Sequence, residues 1–162
     1  MTNKQEETYK WKGEAFRWGL FAGAICVSLF AMIYFSNKEW IFSSELWYGS
    51  MIIYLLAMWK AQSQVESDDI KNYIQPGFLV YVVANALFYI YSSTLFTRID
   101  PELPEVYSAL MDRIRDNGNE AFLMPVIRDF SLFAYMQSLL IGFGIAAIIG
   151  FVLKNRAKPS NL

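Results

Sequence analysis

Residues 76–97 read PGFLVYVVANALFYIYSSTLFT and carry no charged side chain. A helix rises about 1.5 Å per residue, so roughly 20 apolar residues cross the hydrocarbon core of a bilayer. Lipid offers backbone groups no hydrogen bonds, so a chain crossing it must satisfy them within its own helix. This stretch therefore predicts a membrane span over 76–97. Pro76 suits its first turn, where a missing N–H costs nothing. Asn85 is the one strongly polar side chain near its middle.

Three further stretches read the same way. The first covers 16–35. Arg17 stands at its start, where a long stem can carry the charge to the headgroups. The run is longer than the apolar core of a signal peptide, and no small-x-small site follows it. Gly19 and Gly23 form a small-xxx-small pair, as do Ala24 and Ser28, and such faces let helices approach closely in lipid. The second span, 42–61, has the shortest apolar part, about 46–59, with Ser44 as the expected N-cap, Glu45 in the first turn and Lys60 at the far end. The last covers 132–153. Its Gly142, Ala146 and Gly150 lie four apart on one face, a stronger close-packing signal, and Gln137 is its one polar amide.

The polar segments are expected to cap and connect these spans. Residues 1–15 form a tail with Trp11 as an interfacial anchor. In the connection 60–75, Glu66, Asp68 and Asp69 read as a helix-capping turn in preference to a metal site. Residues 97–130 hold seven acids and four arginines. Within them, Val106, Tyr107, Leu110, Met111 and Ile114 share one helix face, Val106, Leu110 and Ile114 recurring every fourth residue, with Arg113 and Asp116 off that stripe. This predicts an amphipathic helix over 104–117, lying on the mouth of the bundle. Asp100-Pro101 reads as its cap, and Asn117-Gly118 as its stop. A second apolar patch, Ala121 to Ile127, is interrupted by Pro125.

The fold class is thus all-α: a polytopic membrane protein with four transmembrane helices and a short extracytoplasmic amphipathic helix between the third and fourth. It forms a single membrane domain over 1–162. Orientation follows from lysine and arginine. Nine lie in the N-terminal segment, the 60–75 connection and the C-terminal tail, and five lie in the other two connections. Both termini are expected in the cytoplasm. All five tryptophans fall near span ends, as an aromatic belt requires.

Composition narrows the chemistry. There is no histidine, which removes His-based catalytic triads and the common zinc sites. One cysteine, Cys26, excludes an internal disulfide and reads as a small packing residue. A net charge of -1 argues against a nucleic-acid partner. No acid or base sits at mid-membrane depth. The intramembrane polar groups are Asn85, Gln137 and the Ser92, Ser93, Thr94 cluster. No catalytic residue, metal ligand or cofactor site is expected.

Asp69-Ile70-Lys71, Phe78, Tyr81, Ile99-Asp100-Pro101-Glu102 and the glycines Gly142, Gly144 and Gly150 together resemble an uncharacterised family of small four-helix membrane proteins common in Bacteroidota. The likeness covers most of the chain and departs at the acidic turn 66–69. It implies a bacterial inner-membrane location and no particular activity. It also points to a membrane glycosyltransferase of the polyprenyl-phosphate type as a partner. The residues favour a non-enzymatic accessory or interaction subunit of a larger membrane assembly, surrounded by the lipid bilayer. The alternative is a small oligomeric transporter or channel lined by Asn85, Gln137 and the Ser/Thr cluster.

Overall fold

The computed structural model describes residues 3–65, 67, 69–116 and 132–157. Five α-helices account for most of them. Helix α1 is Asn3–Ser36, α2 Ser44–Gln62, α3 Ile70–Thr94, α4 Leu103–Asp116 and α5 Leu132–Ala157. A 3-10 turn, Lys38–Phe42, joins α1 to α2, and a π turn, Leu95–Ile99, ends α3. Three stretches are long and apolar enough to cross a membrane: Trp11–Ser36, Ile70–Ile99 and Tyr135–Arg156. Three such helices are the mark of a multi-pass membrane protein. Helix α2, at 19 residues, has the length but not the apolarity, because Glu45, Lys60, Gln62 and two serines interrupt it.

Local chemistry sets the helix ends. Asn37 opens the 3-10 turn, its Oδ1 accepting from the Glu39 N–H at 3.0 Å. Ser43, in extended conformation, caps α2 by accepting from Leu46 N–H at 3.3 Å. The cap thus falls one residue before the expected Ser44, which is helical and buried. Asp69 caps α3 through the Lys71 N–H at 3.0 Å, the capping role expected of that turn. With its cap there, α3 begins six residues before Pro76, so Pro76 lies inside the helix and not in its first turn. Proline there withholds an N–H from the helix ladder. In membrane helices neighbouring groups make good such losses.

Packing follows the small residues. Ala15, Gly19, Ala22, Gly23 and Cys26 make a buried stripe on α1. A Cβ placed on Gly19 would stand 2.7 Å from Val83 Cβ, and one on Gly23 2.9 Å from Leu87 Cδ1. Contacts rising together in number make α1 and α3 parallel neighbours. The pair Ala24 and Ser28 is exposed, away from that seam. Helix α5 runs antiparallel to α3, with Gly142 against the Tyr81 ring and Gly150 against Tyr73. Between them Ala146 is fully buried. Tyr73 and Tyr81, eight apart on α3, thus sit over Gly150 and Gly142, eight apart on α5, the large-on-small interlock that lipid-embedded helices use. Helix α2 packs on both α1 and α3 through Tyr54, Ala57, Met58 and Ala61.

The amphipathic helix expected over 104–117 is α4, Leu103–Asp116. Its buried stripe centres on Leu103 and Tyr107, which pack on Ile41, Phe42 and Leu95. Val106, Leu110 and Ile114 are only half-buried, whereas Arg113 and Asp116 are exposed. Tyr107 thus lies on the face read from the sequence, where it packs edge-on against Phe42 with ring centres 5.3 Å apart, and Leu103 extends that face one turn earlier. The Asn117-Gly118 stop and the Ala121–Ile127 patch lie outside the described residues.

Candidate functional site

The sequence gives α3 a face of aromatic and polar side chains: Tyr81, Asn85, Phe88, Tyr89, Ser92. Their spacing of three or four residues puts them on one side of a helix. That side looks onto a recess of about 370 Å³. Its opposite wall is Trp47, Ser50, Met51 and Tyr54 of α2, and its third wall is Tyr135, Ser138 and Ile141 of α5. Phe30 of α1 backs it, and Phe42 with Phe96 closes one end. The volume falls within the range of about 300–1,000 Å³ typical of small-molecule sites.

Ring-on-ring packing holds these walls. Phe30, Trp47 and Phe88 form a mutual cluster with centroids 4.7 to 5.5 Å apart and near-perpendicular planes. Such edge-to-face pairs add about 0.5–1.5 kcal/mol each beyond the area they bury. The indole of Trp47 donates to the Ile41 carbonyl at 2.9 Å, fixing its orientation. Asn85 donates Nδ2–H to Ser138 Oγ at 2.7 Å, and Ser138 donates to the Tyr135 carbonyl at 2.6 Å. The Tyr135 hydroxyl in turn donates to Val82 O at 3.3 Å. Polar groups on α3 and α5 are therefore spent on each other across the wall.

Two further polar clusters bracket the recess. Below it, α2 and α5 meet at Gln62, which is completely buried. Its Nε2 donates to Ala146 O at 2.7 Å and to Tyr73 O at 2.9 Å, so one amide ties three helices. Gly77 makes room for it: a Cβ there would lie 2.4 Å from Gln62 Cδ. Above it, Asp100 is buried where the π turn ends. It accepts from the Tyr34 hydroxyl at 2.9 Å and pairs with the Lys38 ammonium. The Lys38 ammonium holds the Asp100 carboxyl below the usual carboxylate range, and Asp100 in turn raises Lys38. This ties the end of α1 to the start of the α4 segment across more than 60 residues of chain.

Away from Gln62, α2 and α5 stand apart. Tyr48 and Ile141 both line the recess yet are 56% and 59% exposed, so they mark a mouth facing sideways between the two helices.

Asn85 is on the recess wall. Its partner is Ser138, and Gln137, one residue away, is exposed on α5. Gly142 backs Tyr81, whose ring lines the recess, while Gly19 and Gly23 serve the seam on the far side of α3. Ser92 lines the recess, but Thr94 bonds back to Ile90 O and is exposed. Cys26 is fully buried with its thiol directed at Ser50 O, 3.9 Å away. Gln62 went unread as a core residue because it sits beside Lys60 in a polar stretch. The spacing Ser50, Tyr54, Met58, Gln62 was the available signal. Nothing local joins Lys38 to Asp100. Among the described residues, no group of three acidic, cysteine or histidine side chains could hold a metal ion.

The fold is that of a multi-pass helical membrane bundle with an aromatic, uncharged recess in its side. The chain belongs to the family described as "Protein of unknown function (DUF4199)", whose model matches residues 17–155. No curated protein and no solved structure matches it.

Proposed function

We propose that this is a four-span protein of the bacterial inner membrane, with both termini cytoplasmic, that acts as a non-enzymatic accessory subunit of a larger membrane assembly. The observation that carries this reading is the sideways mouth between Tyr48 and Ile141. It leads from the lipid-facing surface into a recess walled by rings, hydroxyls and one amide. Aromatic pockets of this kind receive the anchor side chains that dominate helix and interface recognition. The occupant is one or two large apolar side chains from a membrane helix of the partner. Exposed Ile52, Met136 and Leu140 flank the mouth and extend the contact surface. Helix α2 counts as a span in this reading because it packs lengthwise on α1 and α3, whose spanning composition is plain. A polyprenyl-phosphate glycosyltransferase is the partner to look for first.

The test is purification of the full chain from its native membrane in mild detergent. One membrane protein should accompany it at fixed stoichiometry and be lost from the Ile141→Trp and Tyr48→Ala variants. A chain that purifies alone, or as a closed homo-oligomer around a wet centre, overturns the reading. The second outcome would favour a transporter or channel.

A further inference from the structure

On the other side of α3, and at the end of the bundle that carries Trp11, a second groove of about 780 Å³ runs between α1 and α3. It is lined by Lys12, Phe16 and Arg17 of α1 and by Gln75, Phe78 and Leu79 of α3. Gly13 forms part of its floor, with open space where a Cβ would stand. We propose that this groove binds an anionic phospholipid, with the phosphate between Lys12 and Arg17 and an acyl chain along Phe16, Phe78 and Leu79.

Three observations converge. First, neither Lys12 nor Arg17 has a carboxylate partner among the described residues, and Glu14, the nearest acid, does not line the groove. Two uncompensated cations facing one cleft favour a negative ligand. Second, the site lies at a span boundary, since Trp11, Lys12 and Arg17 stand just before the charge-free run that follows Arg17, and Lys12 is 5.8 Å over the Trp11 ring. Tryptophan and basic residues at that depth meet lipid headgroups. Third, one groove combines two cations with aliphatic and aromatic side chains, which matches a headgroup joined to a chain. Cations merely reaching toward headgroups would need no groove beneath them.

Each basic residue near an anionic lipid is worth about fivefold in binding, so two give roughly a 25-fold preference. The experiment is native mass spectrometry of the full chain in detergent, titrated with phosphatidylglycerol and phosphatidylcholine of identical chains. Phosphatidylglycerol should be retained with that preference. Lys12→Gln with Arg17→Gln should bring the two lipids to near equality at unchanged thermal stability. Gly13→Leu should fill the groove and weaken binding of the lipid without altering charge. Lys154→Gln with Arg156→Gln, an equal loss of charge at the same end, should leave the preference in place. Equal retention of the two lipids overturns the proposal. So does an equal loss in the Lys154/Arg156 variant, which would mean a diffuse basic surface. Displacement by millimolar inorganic phosphate would show a free-anion site and also overturn it.

Discussion

Gly142→Ala adds one methyl group at the tightest point of the bundle. Its Cβ would lie 2.1 Å from Tyr81 Cδ1 and 2.4 Å from Cγ and Cε1. Those atoms belong to the part of the ring nearest the backbone, and Tyr81 is itself buried, so it has little room to withdraw. Overpacking of this kind costs about 1–3 kcal/mol. Alanine also favours a helix over glycine by roughly 1 kcal/mol, which partly masks the loss. Gly144→Ala supplies the correction. It lies on the same helix two residues away, and a Cβ there meets nothing within 4 Å. Both variants gain the same helix propensity, so their difference isolates the clash at about 1–3 kcal/mol. Thermal unfolding in mild detergent should place Gly142→Ala below Gly144→Ala, with Gly144→Ala at or above the parent. Adding Tyr81→Leu to Gly142→Ala should recover part of the loss, because contacting residues couple. If Gly142→Ala were as stable as Gly144→Ala, the α3–α5 interlock described above would be wrong.

Gln62→Leu removes the amide that donates to Tyr73 O and Ala146 O, and should lower stability by about 1–3 kcal/mol; Gln62→Glu should be worse, since it points a carboxylate at two carbonyls. Denaturant titration in detergent ranks the two, and equal loss would refute the role of the Nε2 donor. The Asp100 pairing has a defined pH sign. Its carboxyl is held low in the folded chain, so its contribution is complete above the ordinary carboxylate range and is lost as pH falls through the lowered value. A spin label at exposed position 109 should gain mobility on acidification, and Asp100→Asn should make it mobile already at neutral pH; an acid response unchanged in Asp100→Asn would place the transition elsewhere. A reporter active only in the cytoplasm should work when fused after Gln64 or Leu162 and fail at position 117, and activity at 117 would reverse the orientation.

Much of the helical framework is written locally. A charge-free run of spanning length has one solution in lipid, so α1, α3 and α5 follow from counting apolar residues. Small residues four apart mark faces for close contact before any neighbour is known, as at Gly142, Ala146 and Gly150. Asp69 in the acidic turn declares itself a cap by its place before a helix. The composition of α2 is less decisive, because its tryptophans and tyrosines carry polar tips and its ends hold Glu45, Lys60 and Gln62.

What the tertiary structure decided is which polar groups meet. Asn85 and Gln137 are equivalent as isolated intramembrane amides, yet one pairs with Ser138 and the other is exposed. The choice depends on the rotation of α5 about its axis, and that rotation is set by Gly142 seating on Tyr81. Gln62 is in the core because α2, α3 and α5 converge on it, and Asp100 finds Lys38 because the π turn brings it under the end of α1. The recess exists for the same reason: α2 and α5 touch near Gln62 and stand apart at Tyr48 and Ile141. Helix formation is a property of a segment and its solvent, whereas rotation and register are settled jointly by all the helices that pack, so only their assembly could fix them.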